Sequence, residues 1–117
     1  MSRNLAVTER ASKVGAVKTL AAKAVHITGK DGQVDQAGVH LSKAAHDEIT
    51  WFAHDNENAT IVFSSPAGSP FQNFVFHVPG GGSVSSGPIR DHATYQSYKY
   101  TVAGPGGAND PEVIIDR

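Results

Sequence analysis

The chain has no cysteine, and among its 117 residues the only methionine is Met1 and the only tryptophan is Trp51. Without thiols it can form no disulfide, no thiolate zinc site, no iron–sulfur cluster and no cysteine nucleophile. No apolar run approaches the roughly 18 to 20 residues of a membrane-spanning helix. The apolar region of a signal peptide, about 7 to 15 residues long, is missing as well, because Arg10, Lys13, Lys18 and Lys23 interrupt the N-terminal segment. The expectation is a cytoplasmic protein as numbered, or an exported one in processed or engineered form. Charged residues make up 18% and hydrophobic ones 39%, the balance of a globular chain with one core.

Familiar catalytic signatures are also lacking. No serine sits in a G-x-S-x-G elbow. The run Gly82-Ser83-Val84-Ser85-Ser86-Gly87 has the glycine spacing of a phosphate loop. Pro88 and Ile89, however, stand where the lysine and the serine or threonine would be. Asn58-Ala59-Thr60 matches a glycosylation acceptor, which has meaning only in a eukaryotic secretory setting. The chain is therefore not expected to be an enzyme, and no cofactor is expected.

Charge is unevenly spread. Residues 1–24 carry Arg3, Arg10, Lys13, Lys18 and Lys23 against Glu9, a net +4, whereas the other 93 residues carry a net −5. A basic arm of this kind suits an acidic protein surface, its own or a neighbour's. Nucleic acid is disfavoured, since the arm has no aromatic residue on which a base would stack. Val7, Ala11, Val14, Val17, Ala21 and Ala24 recur at helical spacing. Gly15 and Val17-Lys18-Thr19 are poor helix material, and Val17, Thr19, Ala21, Lys23, Val25 and Ile27 also alternate as in a strand. The arm is thus a helix or an extra strand, with the domain proper over 25–117.

From Val25 onward the pattern is β. Val25 and Ile27 lead to a turn at Gly29-Lys30-Asp31-Gly32, and Val39 and Leu41 mark the next strand. Ile49, Trp51 and Phe52 then precede a polar loop and Thr60-Ile61-Val62-Phe63. The segment 64–70, with Pro66, Gly68 and Pro70, predicts a surface loop. Phe74, Phe76 and Val78 alternate with Val75 and His77. Tyr98, Tyr100 and Val102 repeat the scheme, as do Val113 and Ile115. About seven short strands at such intervals predict a two-sheet sandwich. Trp51 is expected in the core, with Tyr98 or Tyr100 beside it and the other tyrosine covering a sheet face.

Several pieces, in order, carry a family resemblance: Asp47-Glu48-Ile49-Thr50-Trp51, the strand at 60–63, and Val78-Pro79-Gly80-Gly81-Gly82-Ser83. Tyr98-Lys99-Tyr100-Thr101-Val102 and Asp110-Pro111-Glu112-Val113-Ile114-Ile115 complete the set. Over 25–115 the chain resembles the bacterial cupredoxin-like domains. The resemblance implies an all-β, antiparallel or mixed two-sheet sandwich of Greek-key type. It also implies where type 1 copper ligands would stand. The first histidine of the family falls at Ala59 and the cysteine at Val102, while the loop that would carry a second histidine and a methionine reads Gly104-Pro105-Gly106-Gly107-Ala108-Asn109. Such a centre needs a thiolate and two imidazoles, so type 1 copper chemistry is not expected.

Six histidines remain: His26, His40, His46, His54, His77 and His92. None is spaced H-x-H or H-x-x-x-H, the intervals that place two rings on one face of a strand or helix. They read as scattered surface residues. A metal site, if one forms, is expected from His54, Asp55 and His92. The leading expectation is a non-catalytic protein-interaction or self-assembly module that uses the basic arm and an exposed sheet edge to hold a protein partner or another copy. The alternative is a copper- or zinc-handling protein that binds through histidine without redox catalysis. A weaker third possibility is a domain that binds a small ligand in its loops.

Overall fold

The computed structural model describes residues 22–28, 31–54, 57–64 and 66–117. Eleven strands run through them, beginning with β1 (Ala22–Thr28), β2 (Gln33–Val34), β3 (Gly38–Ser42) and β4 (Glu48–Ala53). β5 (Ala59–Val62), β6 (Val75–Val78), β7 (Ser83–Ser85) and β8 (Ser97–Lys99) follow. β9 (Thr101–Gly104), β10 (Gly107–Asn109) and β11 (Glu112–Asp116) complete the chain. β1 starts three residues before the expected domain boundary. Of the arm read as residues 1–24, residues 22–24 are strand rather than helix, and residues 1–21 lie outside the described residues.

One sheet has the order β2-β1-β4-β7. β1 and β4 are parallel, with Val25 opposite Trp51 and Ile27 opposite Ala53, and β7 is antiparallel to β4. The alternation read in the sequence is the burial pattern here. Val25, Ile27, Ile49, Trp51 and Ala53 turn inward, while His26 and Phe52 remain on the outer face.

The second face is assembled from two ladders, β10-β9-β5-β6 and β3-β11-β8. They join at Tyr100. β8 pairs with β11 through Lys99 opposite Glu112, and two residues later β9 pairs with β5 through Thr101 opposite Val62. Between them the Tyr100 N–H donates to the carbonyl of Pro111. The strand thus changes partners while the Tyr100 N–H keeps an acceptor. β3 lies parallel to β11, so the sandwich is mixed, as expected.

Trp51 is the centre of the core and fully buried. Phe76, Tyr100, Phe63 and Phe71 surround it with centroids 5.1, 5.7, 6.3 and 6.3 Å away. Several contacts are edge-on, the orientation that aromatic quadrupoles prefer. Tyr98 and Tyr100 are both buried, so neither covers a sheet face. Spaced two apart, Tyr98, Tyr100 and Val102 all point inward.

The 64–70 loop also departs from the expectation. Its end folds into the protein: Ser69, Pro70 and Phe71 are buried, and Ser69 Oγ both donates to the carbonyl of Asn73 and accepts from the N–H of Phe71. That hydroxyl replaces water for backbone groups taken inside, which lets Phe71 reach the core. Phe74, which alternates in sequence with the buried Phe76, is itself 49% exposed, because β6 begins only at Val75.

Candidate functional site

Ala59 opens β5 opposite Val78 of β6, and Val102 on β9 lies opposite Ile61 of β5. All four side chains are buried in one hydrophobic cluster. The two positions that the resemblance marks for imidazole and thiolate are therefore neighbours through a shared strand, and both present only hydrocarbon to their surroundings.

The segment after Val102 closes this end further. β9 and β10 form a tight hairpin in which Gly104 faces Gly107 across the turn of Pro105 and Gly106. A second turn lies over it. Asn109 Nδ2 donates to the carbonyl of Asp31 across 2.8 Å, and Gly32 packs so closely that a Cβ there would lie 2.1 Å from the Val102 carbonyl oxygen. Gly32 also has φ +75°, a left-handed conformation that glycine adopts without a steric penalty.

Type 1 copper requires a thiolate and two imidazoles in a roughly trigonal array. Ala59 and Val102 offer no lone pair, and the hairpin carries neither histidine nor methionine. The residues at this end do not fit the metal. Tyr100, just before β9, adds no charge near neutral pH. Burial pushes its phenol up to about 12, outweighing the hydrogen bond from Trp51, which acts in the opposite direction.

Solved structures resemble the fold of this chain. A reduced amicyanin variant matches with a TM-score of 0.56 at 13% identity, over 81% of this chain and 82% of its own. An amicyanin variant in its reduced Cu(I) form gives 0.56 at 14%, over 85% and 86%. A purple cupredoxin from Nitrosopumilus maritimus gives 0.56 at 15%, over 80% of this chain and 99% of its own. The chain has the cupredoxin fold. No family model matches the sequence, and no curated protein matches it. Among the described residues of this cupredoxin-like domain, no three His, Cys, Asp or Glu side chains gather as a metal would require. None of its described helices is long and apolar enough to cross a membrane.

His54 follows the last residue of β4. His92 lies between Asp91 and Ala93, whose carbonyls accept from Nζ of Lys43 in the turn before β4. Asp55 lies outside the described residues.

The partner that the structure gives His54 is His26, with Nδ1 of His26 2.5 Å from Nε2 of His54. The pair is 28 residues apart in sequence, so spacing gave no sign of it. Parallel pairing creates it: His26 stands opposite Phe52, and His54, two residues further on, falls on the same side. His40 likewise meets a distant carboxylate, Asp116, at 2.6 Å on the neighbouring parallel strand. Both groups are well exposed, which limits what such a pair contributes.

The third open feature is the free edge of β6. Among the described residues no strand pairs beyond it. Phe63 N–H donates to the carbonyl of Phe74 at the start of the β5–β6 ladder. In an antiparallel ladder inward-bonding residues alternate, so Val75 and His77 direct their backbone groups to the open side. Val75 is 45% exposed and Phe74 beside it 49%, an apolar fringe on an unpaired edge.

Proposed function

We propose that this cupredoxin-like domain is a non-catalytic self-assembly module, in which the basic N-terminal arm of one copy adds to the β6 edge of another. The observation that carries this reading is the burial of Ala59 and Val102 in the hydrocarbon core, where a metal-binding member of the fold would hold its ligands. With that end closed, the outer edge of β6 is the place where backbone donors and acceptors stand ready beside apolar side chains. Such an edge receives an extended segment by β-augmentation, in which main-chain hydrogen bonds give affinity and alternate side chains give register. Residues 1–24 supply alternating apolar residues and a net +4, against a net −5 on the rest of the chain, so attraction between copies favours the exchange.

Sedimentation velocity tests this on three proteins: the full chain, the chain without residues 1–21, and Val75→Lys. The full chain is expected to show a larger species that both changes remove. A monomer in all three would defeat the reading.

A second reading, histidine-based handling of copper or zinc without redox catalysis, is favoured by one observation, the approach of His26 to His54.

A further inference from the structure

We infer that His26 and His54 form a two-imidazole site for a transition-metal ion, on the outer face of the β1–β4 sheet and separate from the position where the cupredoxin fold carries copper. The inference supplies a site for the metal-handling reading and rests on it; self-assembly is independent of both.

The geometry is that of two ring nitrogens aimed at each other. The ring planes differ by 20° and the centroids are 4.7 Å apart, while the facing nitrogens are only 2.5 Å apart. Rings stacked face to face would keep their atoms about 3.5 Å apart or more. Near-parallel rings with nitrogens at 2.5 Å therefore meet edge to edge, Nδ1 against Nε2. Two neutral imidazoles cannot hold this contact unless one nitrogen donates and the other accepts, so a single proton lies between them. A metal ion would take the place of that proton.

The required movement is small. Zinc–nitrogen bonds of about 2.0–2.1 Å at a tetrahedral angle place two nitrogens about 3.3 Å apart, so the rings must separate by less than about 1 Å and tilt until both nitrogens face the metal. His54 can supply this, since it is exposed and lies beyond the end of β4. His26 is held more firmly. Its backbone N–H donates to Asp35 Oδ1 across 2.8 Å, and its ring packs along Phe52 with centroids 5.1 Å apart and planes 17° apart. One anchored and one adjustable imidazole make a partly preorganised chelate.

The donor set selects the ion. Neutral imidazole suits Cu²⁺ and Zn²⁺, whereas Mg²⁺ and Ca²⁺ take oxygen ligands. Two protein donors leave the remaining positions to water or to a ligand brought by another molecule. The site is therefore open and exchangeable, unlike a closed four-ligand structural site.

The test is calorimetric titration of the tag-free full chain with Cu²⁺ and, separately, Zn²⁺, at a pH where histidine is neutral. His26→Gln, His54→Gln and His92→Gln are titrated in parallel, with thermal unfolding as the check that each is folded. The parent is expected to bind one equivalent. His26→Gln and His54→Gln should each weaken that binding about a hundredfold, because a chelate is reduced to a single imidazole, and His92→Gln should leave it unchanged. Electron paramagnetic resonance of the Cu²⁺ form should show two coordinating imidazole nitrogens in the parent and one in either single variant. Binding that persists undiminished in His26→Gln and His54→Gln would overturn this site while leaving metal handling through other histidines intact. No saturable heat in the parent would overturn both.

Discussion

The indole N–H of Trp51 donates to the phenolic oxygen of Tyr100 across 3.2 Å inside the core, joining the β4 sheet to the bend at which the opposite face changes strand partners. Both residues are buried, so neither polar atom has water as an alternative. Tyr100→Phe would leave the indole N–H without its acceptor and should cost about 1–3 kcal/mol, measured by urea unfolding. A loss indistinguishable from zero would show that the indole finds another partner.

The same phenol predicts a pH dependence. Its ordinary value is 10.0, and burial raises it to about 12 in the folded chain. Below pH 10 the phenol is neutral in folded and unfolded chains alike, and its contribution to stability is intact. As pH rises from 10 toward 12 the unfolded phenol ionises first, so that stability is progressively lost. Phenolate absorbance followed with pH should contain a component near 12 that is absent from Tyr100→Phe.

Gly32 should tolerate no side chain. A Cβ would lie 2.1 Å from the Val102 carbonyl oxygen and 2.9 Å from its carbonyl carbon, on a backbone already at φ +75°. Gly32→Ala is expected to lower stability by about 2 kcal/mol or more through clash and left-handed strain together. Thermal unfolding checks this, and an unchanged midpoint would mean that the Asp31–Gly32 turn is not seated on Val102.

Restoring ligands one by one should not restore a blue-copper centre. Ala59→His places an imidazole in a cluster occupied by Val78, Ile61 and Val102, and overpacking of this kind costs about 1–3 kcal/mol. The double variant with Val102→Cys still lacks a second imidazole, because Pro105 and Gly106 alone form the turn of the β9–β10 hairpin. Copper added to it should fail to develop the intense thiolate absorption of a type 1 site. Its appearance would show that this end of the fold is far more adaptable than its packing indicates.

Much of the sandwich was legible because period-two patterns are local. Phe76 and Val78, Tyr98 and Val102, and Val113 and Ile115 are buried as their alternation requires. The surface-loop reading of 64–70 misses the inward turn at Ser69 and Pro70, since proline and glycine signal a loop but not whether it folds inward; the deciding contacts, from Ser69 Oγ to Phe71 and Asn73, are made after the chain has turned. The meeting of His26 with His54 was invisible for a different reason. It depends on the register of two parallel strands, and spacing within one strand carries no information about register with another. The vacant ligand positions at Ala59 and Val102 were legible because they required only residue identity at places fixed by flanking motifs.

His46 offers an independent check on the turn before β4. It is the only non-glycine among the described residues with positive φ, at 58°, and its backbone N–H donates to the carbonyl of Lys43 across 3.1 Å. Its side chain is exposed. His46→Gly should therefore stabilise the protein by about 0.5–1 kcal/mol, the left-handed penalty relieved less the extra freedom of glycine when unfolded. A destabilised variant in thermal unfolding would contradict the assigned conformation.

Self-assembly through the open strand is tested most directly by amide hydrogen exchange at Val75 and His77, whose backbone groups face outward from β6, followed as a function of protein concentration. The account predicts fast exchange at both amides in dilute protein and protection in concentrated full-length chain, with no protection at any concentration once residues 1–21 are removed. Equal exchange at these two amides across the whole concentration range of the full-length chain would contradict it.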